Sequence, residues 1–333
     1  MTLYLDDKTV SQMFSYEDAV INLESDLKSI DVRKSRVLPR EKIEIEQQGN
    51  FRIMSAYIPD LKIVVTKSGF SVSQFRGNKT AAEAGETILL YDSQNGELNC
   101  IINSFSVNLM RTAAATALAA KYLANPDAST VGLYGTGIHS IAQLLGLHTV
   151  RKFDEVKVYS PTLQQQQRKK DEFIEHASNV FNASFKWCIE PRAVANSDII
   201  VEATNSQGPV LRADWLYKAA HINSIGTASP GMRIIPDEVL RLCKVVCIPS
   251  IDEISARFMS ADVNEPIANG TIEIKDICSL DEVVKGKKTR SNREDITIFK
   301  MIGTPVYDAI IANAIYRKGL KQSVGTKLLN DAY

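Results

Sequence analysis

The sequence predicts an α/β protein in two parts, and three observations carry that reading. From about residue 130 onward, short apolar runs alternate with helical patterns, the βαβ rhythm of a parallel sheet covered by helices. The first of those runs, Val131 to Tyr134, turns through Gly135 and Gly137 straight into a helix. Residues up to about 105, by contrast, string together strand-like runs with one helical stretch among them. The expected architecture is a Rossmann-type parallel-sheet domain plus a mostly antiparallel β (α+β) domain. A chain of 333 residues is long for one domain. A late strand and helix after the βαβ region predict that the C-terminus returns to the first domain. The expected division is 1–112 plus 304–333, and 113–303.

The elements follow from the pattern. Leu3–Leu5 reads as a short strand, Asp6 or Asp7 as a cap, and Tyr16–Ile30 as a helix with apolar residues at Ala19, Val20, Leu23, Leu27 and Ile30. Lys34 to Arg40, KSRVLPR, reads as a basic loop. Strands are expected at Ile43–Ile45, Phe51–Ser55 and Leu61–Lys67. Two more, Glu86–Tyr91 and Leu98–Ile102, flank Asp92-Ser-Gln-Asn-Gly96, a hairpin signal. Val107–Ala124, rich in alanine and leucine, is the strongest helix and stops at Asn125-Pro126. After the glycine turn, strands are expected at Val156–Tyr159, Ser184–Ile189, Asp198–Ala203, His221–Ile225, Lys244–Ile248 and Thr297–Met301. Helices are expected at Gln164–Ala177, Arg192–Asn196, Pro236–Leu242 and Pro305–Gly319, with a helical turn at Asp214–Lys218. Lys285–Glu294 reads as a charged, solvated loop.

A strand that turns through glycines into a helix points backbone N–H groups and the positive helix end at one spot, where a pyrophosphate fits. Gly135 allows the tight turn and Gly137 the close approach of phosphate. Ser140 stands where a third glycine is usual, and its small side chain still permits helix–strand packing. His139 lies in the turn and is expected to touch the nucleotide.

Composition excludes several classes. Lys+Arg and Asp+Glu number 39 each, so no bulk charge drives nucleic-acid binding. The five cysteines lack a CxxC pair and read as reduced thiols. No run approaches the ~20 apolar residues of a membrane span, and the N-terminus has no signal pattern, so a cytoplasmic protein is expected. The four histidines have no metal-ligand spacing, so no metal is expected. Ser104 and Ser106 lack a nearby base, against a serine hydrolase.

Among charged residues, Lys67 ends an apolar strand, where burial requires an anion. Arg111 opens a buried-looking helix, and its planar fork suits a carboxylate or phosphate. Arg36 is a further candidate for such a clamp, whereas Arg40 reads as a structural or surface charge.

Several tracts together give this chain a family resemblance. They are Arg111-Thr-Ala-Ala, Gly135-Thr-Gly137, Ala203-Thr204-Asn-Ser206 with Pro209-Val210, Asn223-Ser-Ile-Gly226, and Gly270 followed by Leu280 and DEVVKGK. The late Asp295-ITIFKMIGT-Pro305 and Gly325-Thr326 complete the set. In this order they resemble the ornithine cyclodeaminase/μ-crystallin family over nearly the whole length. The resemblance implies a homodimer whose first domain serves dimerisation and substrate binding. It implies hydride transfer between a nicotinamide and the carbon–nitrogen bond of an amino acid. Lys67, Arg36 and Arg111 are then expected to hold the substrate carboxylate. The nucleotide is expected along Arg111, Thr112, Gly135, Thr136, Gly137, Ile138, His139, Ser160, Thr162, Ala203, Thr204, Asn205 and Gly226.

Two departures reshape the functional expectation. Where cyclodeaminases carry a glutamate in the strand Phe51–Ser55 this chain has Arg52, and where they carry an aspartate after the late glycine it has Ala228. Both acids that handle substrate amines are gone, which argues against cyclisation of ornithine; Glu83 is a candidate substitute acid. The expected activity is an NAD(P)H-dependent imine reductase or amino-acid dehydrogenase acting on a small carboxylate such as a cyclic imino acid, with Lys67 as catalytic proton donor. The alternatives are an opine-like condensing enzyme and a non-catalytic, nucleotide-dependent ligand binder. NADP(H) is favoured over NAD(H), because Ser160-Pro-Thr162 ends the second strand without the acid that NAD enzymes place on the ribose. Arg168 and Lys169 follow on the next helix.

Overall fold

Asp6 accepts a hydrogen bond from the Thr9 amide at 2.7 Å. It thereby starts helix α1 (Asp7–Met13) directly after strand β1 (Thr2–Leu5). The chain is seen in a computed structural model that describes residues 1–45, 49–70, 86–206, 208–217, 219–226, 233–251 and 260–328. It divides into two compact units, Met1–Arg111 with Thr304–Tyr333, and Thr112–Gly303.

In the first unit a reciprocal Ser15–Asp18 capping box opens helix α2 (Tyr16–Ser29), so two helices stand where one was expected. Strands β2 (Arg36–Ile45), β3 (Gly49–Ile58), β4 (Ile63–Phe70), β5 (Thr87–Asp92) and β6 (Leu98–Asn103) form an antiparallel meander. Of the basic segment read as a loop, residues 36–40 are the first half of β2. Pro39 is tolerated there because β2 lies at the sheet edge and its pairing shifts register between Leu38 and Glu41. In β4 the strict alternation turns Ile63, Val65, Lys67 and Gly69 to the buried face. Lys67 stands opposite Met54 of β3 and Ile88 of β5, and Arg52 stands opposite Gly69, so Arg52 and Lys67 share one face. Helix α3 (Phe105–Leu123) follows, and the division between the units falls within it.

The second unit winds β7 (Thr130–Tyr134), α4 (Ile138–Val150), β8 (Glu155–Tyr159), α5 (Gln167–Val180), β9 (Ser184–Trp187), α6 (Pro191–Ala195) and β10 (Ile199–Glu202). It continues through β11 (His221–Ser224), α7 (Asp237–Leu242), β12 (Cys243–Ile248), α8 (Ala261–Ala268), β13 (Ile277–Ser279), α9 (Leu280–Val284) and β14 (Ile296–Lys300). The sheet order is β13-β12-β14-β11-β10-β7-β8-β9, with every pair parallel. From β7 the chain proceeds outward through β8 and β9, then returns to β10 on the other side of β7. That reversal is the switch point at which doubly wound sheets bind ligands. The core is made by strands such as β10 and β14, every residue of which is buried and whose polar members are Glu202, Thr297 and Lys300.

Two polar devices lock this unit. Arg290, in the loop read as solvated, donates to the carbonyls of Asp295 at 2.6 Å, Leu123 at 2.7 Å and Ala219 at 3.0 Å. A guanidinium in that position ties together carbonyls from three separate segments, of which Leu123 also accepts from Thr297 Oγ1 at 3.1 Å. Buried His221 meets Thr297 Oγ1 through Nδ1 at 2.9 Å and Asn223 Oδ1 through Nε2 at 3.2 Å, while Asn223 donates to the Thr116 carbonyl. Burial pushes the imidazole down to about 3 against the pull of Asn223. The unfolded chain binds this proton near pH ~6.5. Between those values the unfolded state therefore holds more protons, and stability falls as pH falls, by up to ~1.4 kcal/mol per pH unit. His221→Gln is expected to flatten the acid limb of unfolding free energy against pH; an unchanged slope contradicts this.

The chain then returns to the first unit as α10 (Pro305–Gln322), capped by Thr304, and β15 (Thr326–Leu328). This completes a seven-stranded sheet of order β15-β1-β6-β5-β4-β3-β2, with α10 packed against β3 and β4.

Candidate active site

Strand β4 carries Lys67 inward until the side chain is 3% exposed. Its Nζ lies 2.9 Å from Glu86 Oε2 and 3.4 Å from both Asp308 Oδ1 and Asn108 Oδ1. Arg111, one helical turn after Asn108 on α3, donates to Asn108 Oδ1 at 2.6 Å and places Nε 3.3 Å from Asp308 Oδ1. Asp308 is fully buried in the first turn of α10, where the helix N-terminus favours a negative charge. Burial alone would push its carboxyl up; Lys67 and Arg111, with a smaller contribution from Arg40, outweigh it and hold Asp308 below the usual carboxylate range. Asp308 is thus the hinge of the site, since both cations converge on one of its oxygens.

Arg40 is corrected from surface charge to member of this cluster. Its Nε is buried without a hydrogen-bond partner among the described residues. Burial and the like charges of Arg52 and Arg111 push its titration down, against the pull of Glu86 and Asp308. Arg52 donates to Asn50 Oδ1 at 2.9 Å. Arg36 is not brought to the cluster: it is exposed, and its guanidinium turns back to the carbonyls of Arg33, Lys34 and Ser35. Glu83 and Ala228 lie outside the described residues.

Sequence reasoning missed Asp308, Asn108 and Glu86. An aspartate in a helical first turn looks like any dipole-stabilising acid, and only its setting in the apolar run Val306 to Ile311 hints at burial. Asn108 had a weak signal, three residues before Arg111 and so on the same helix face.

Of the residues expected around a nucleotide, Arg111 and Thr112 lie on α3, and those from Gly135 to Gly226 sit after the C-terminal ends of four adjacent strands of the second unit, β8, β7, β10 and β11. Gly135 has φ of +103°, and a Cβ there would lie 2.2 Å from the Ala203 carbonyl oxygen. Its amide donates to the Tyr159 carbonyl, and the Ala203 amide to the Tyr134 carbonyl, both at 2.9 Å, so the turn is fixed to both neighbouring strands. Gly137 has an ordinary φ of −76° and caps α4 with no side-chain cap. Among the described residues, a Cβ on Gly137 would meet nothing within 4 Å. The first turn of α4 is therefore open above Thr136 and Gly137, with Ile138 exposed and Ser140 packed inside. Ser160 is buried, with Oγ 3.1 Å from Thr162 Oγ1, while Arg168 is exposed and paired with Glu172. Thr204 receives the Ser206 amide, and Asn205 is exposed. The Gly226 amide donates to Glu202 Oε2 at 3.2 Å, and its carbonyl accepts from Lys300 at 3.1 Å. Thr112 is buried within α3. An uncapped thirteen-residue helix opening from glycines at a switch point fits a dinucleotide's pyrophosphate.

Among the described residues, no group of three or more acid, histidine or cysteine side chains is placed to hold a metal, and no helix is long and apolar enough to cross a membrane.

A parallel sheet with a glycine turn at its switch point in the second unit, and a buried lysine–arginine–carboxylate cluster in the first, define a nicotinamide-nucleotide class of protein. The chain belongs to the ornithine cyclodeaminase/mu-crystallin family, whose model matches residues 2–323. It is 31% identical over 244 residues to a Delta(1)-pyrroline-2-carboxylate reductase of Bacillus cereus, covering 72% of this chain and 73% of that one. It is 27% identical over 333 residues to an alanine dehydrogenase of Archaeoglobus fulgidus, covering 98% of each. Among solved structures, Thermococcus litoralis Delta(1)-pyrroline-2-carboxylate reductase, in complex with NADH and L-proline, superposes with a TM-score of 0.86 at 28% identity, covering 98% of this chain and 100% of that one.

Proposed function

We propose that this protein reduces the C=N bond of a small imino carboxylate, such as a cyclic imino acid, at the expense of a nicotinamide nucleotide. The observation that carries this is the convergence of Lys67 and Arg111 on Asp308, all three buried. Lys67 and Arg111 with Arg40 set three cations among the described residues against Glu86 and Asp308, an excess that suits a substrate carboxylate. Substrate carboxylate then joins Arg111 and Lys67, which orients the imine for reaction. Lys67 supplies the proton to the imine nitrogen, and Glu86, 2.9 Å from Nζ, holds the ammonium at the entry of β5. A bound reduced nicotinamide supplies the hydride to the imine carbon, which balances the reaction as C=N plus hydride plus proton. Gly135, Thr136, Gly137 and the first turn of α4 would hold its pyrophosphate. The loss of both cyclodeaminase acids, at Arg52 and Ala228, directs the chemistry to reduction and away from ornithine cyclisation. The relatives that carry reductase names support this reading over a purely ligand-binding protein and over an opine-like condensing enzyme. We further propose a homodimer formed through the first unit and a reducing, cytoplasmic setting; the five cysteines are all free, in keeping with the latter.

NADPH is the proposed nucleotide. Ser160 and Thr162 offer hydroxyls after the end of β8, and the tract Ser160-Pro-Thr162 itself holds no acid to repel a 2′-phosphate. The expected preference is roughly tenfold, one or two hydrogen bonds' worth. Fluorescence titration of both reduced nucleotides in one buffer decides the preference, and tighter NADH binding reverses it. Turnover is tested by nucleotide oxidation with cyclic imino carboxylates: consumption supports the reductase, and tight nucleotide binding without turnover supports the ligand binder.

A further inference from the structure

We infer that Glu202 and Lys300 are positioning residues for the nicotinamide half of the nucleotide. This rests on the nicotinamide-nucleotide reading and concerns the second unit alone.

Glu202 is the last residue of β10 and is fully buried. Its Oε1 accepts from the Thr204 amide at 3.3 Å. Its Oε2 accepts from the Ser224 hydroxyl at 2.7 Å and from the Gly226 amide at 3.2 Å. Burial pushes this carboxyl up, against the pull of Lys300, Ser224 and the two amides. In either protonation state an oxygen faces each amide. Lys300, the last residue of β14, donates to Ser224 Oγ and to the Gly226 carbonyl, both at 3.1 Å. Its ammonium also pairs with Asp262 Oδ2 at 2.8 Å, and both side chains are buried. Asp262 Oδ1 in turn accepts from the amides of Ile234 and Ile235 at 2.7 and 2.9 Å. A buried lysine and two buried acids are costly unless each finds such partners. Here the partners of Glu202 are main-chain groups at the ends of β10 and β11.

Gly226 is gripped at both of its polar groups, the amide by Glu202 and the carbonyl by Lys300. A Cβ there would lie 2.2 Å from Glu202 Oε1, so glycine is what lets the carboxyl group reach the backbone. At Thr204 the same acid sets a peptide plane. The Thr204 amide faces Glu202, and in a trans peptide the Ala203 carbonyl then faces the other way. That carbonyl oxygen is the atom 2.2 Å from the place of a Cβ on Gly135. Glu202 therefore shapes the surface against which the glycine turn packs. The direction of the nucleotide follows from the sheet order. Its pyrophosphate is assigned to the turn after β7 and its adenosine ribose to the end of β8. The nicotinamide half then falls to β10 and β11, on the other side of the switch point. Those are the two strand ends that Glu202 joins.

Binding without turnover tests this. Isothermal titration compares NADPH with 2′-phospho-ADP-ribose, the same nucleotide without its nicotinamide. Glu202→Met removes the acceptors and leaves Lys300 its ion pair with Asp262, so no buried charge is stranded. It is expected to weaken NADPH about tenfold, one or two hydrogen bonds' worth, while the fragment keeps its wild-type affinity within about twofold. Glu202→Gln restores one acceptor and is expected to recover part of the loss. Ser224→Ala, which cuts the link between Lys300 and Glu202, is expected to weaken NADPH about threefold and to spare the fragment. Melting curves show whether each variant is folded; if Glu202→Met is not, the other two carry the comparison. Equal losses for NADPH and the fragment, or unchanged affinity for NADPH, overturn the positioning role. If the wild type binds neither molecule, the nucleotide reading itself fails and the positioning role with it. Failure of the reductase chemistry is a separate result, tight NADPH binding with no imine reduced, and leaves the comparison readable.

Discussion

Lys67→Met is expected to lower kcat/KM for the imine substrate at least thirtyfold, about 2 kcal/mol of transition-state stabilisation, the scale of a lost buried charge pair. The lysine has two tasks that the structure joins in one atom. Its Nζ is part of the carboxylate receptor with Arg111, and it pairs with both Glu86 and Asp308. Methionine fills the space and removes both the charge and the proton. The protein stays folded because Asp308 keeps Arg111, although its melting temperature drops as Glu86 loses its partner. Lys67→Arg separates the tasks: it restores the charge, so KM recovers more than kcat, since a guanidinium does not release a proton at neutral pH. Initial-rate kinetics of both variants check this. Turnover by Lys67→Met within a few-fold of wild type contradicts both roles.

Gly137→Val is expected to reduce nucleotide affinity at least a hundredfold, nearly 3 kcal/mol, while leaving the fold intact. The reason is specific to this glycine. Its φ of −76° is open to any residue, and a Cβ there meets no described residue within 4 Å, so a side chain starts without backbone strain and points into open space. What it fills is the space above the uncapped first turn of α4, where a pyrophosphate would accept from backbone amides. Gly135 makes the contrast. At φ of +103°, with a Cβ 2.2 Å from the Ala203 carbonyl oxygen, its replacement by alanine damages the fold itself. Fluorescence titration with NADPH, alongside a melting curve, distinguishes the two. Unchanged affinity in Gly137→Val places the nucleotide elsewhere.

How far the sequence is legible depends on whether a feature is local. The glycine turn, the alternating strands and the buried position of Lys67 are all written in short windows, and the structure has each as read. The start of β2 was not legible, because arginines and Pro39 have a loop's composition and only the strand's place at the sheet edge makes them acceptable. The strands β13 and β15 are three residues each, too short for any periodicity to show. The counter-charges of Lys67 lie outside any local window, since Asp308 is 241 residues away along the chain. The sequence calls for an anion near Lys67 on energetic grounds but does not name the residue that supplies it. Arg290 is a similar case: a charged loop residue becomes structural only because three separate segments leave carbonyls around it.

The central claim is that a hydride reaches the carbon of a C=N bond next to a carboxylate. The direct measurement uses reduced nucleotide carrying deuterium at the transferable position, with an imino carboxylate as substrate and mass spectrometry of the amino-acid product. The account predicts one deuterium per product molecule, located on the α-carbon. A product without deuterium there, or no product from any imino carboxylate while the nucleotide is bound, contradicts it.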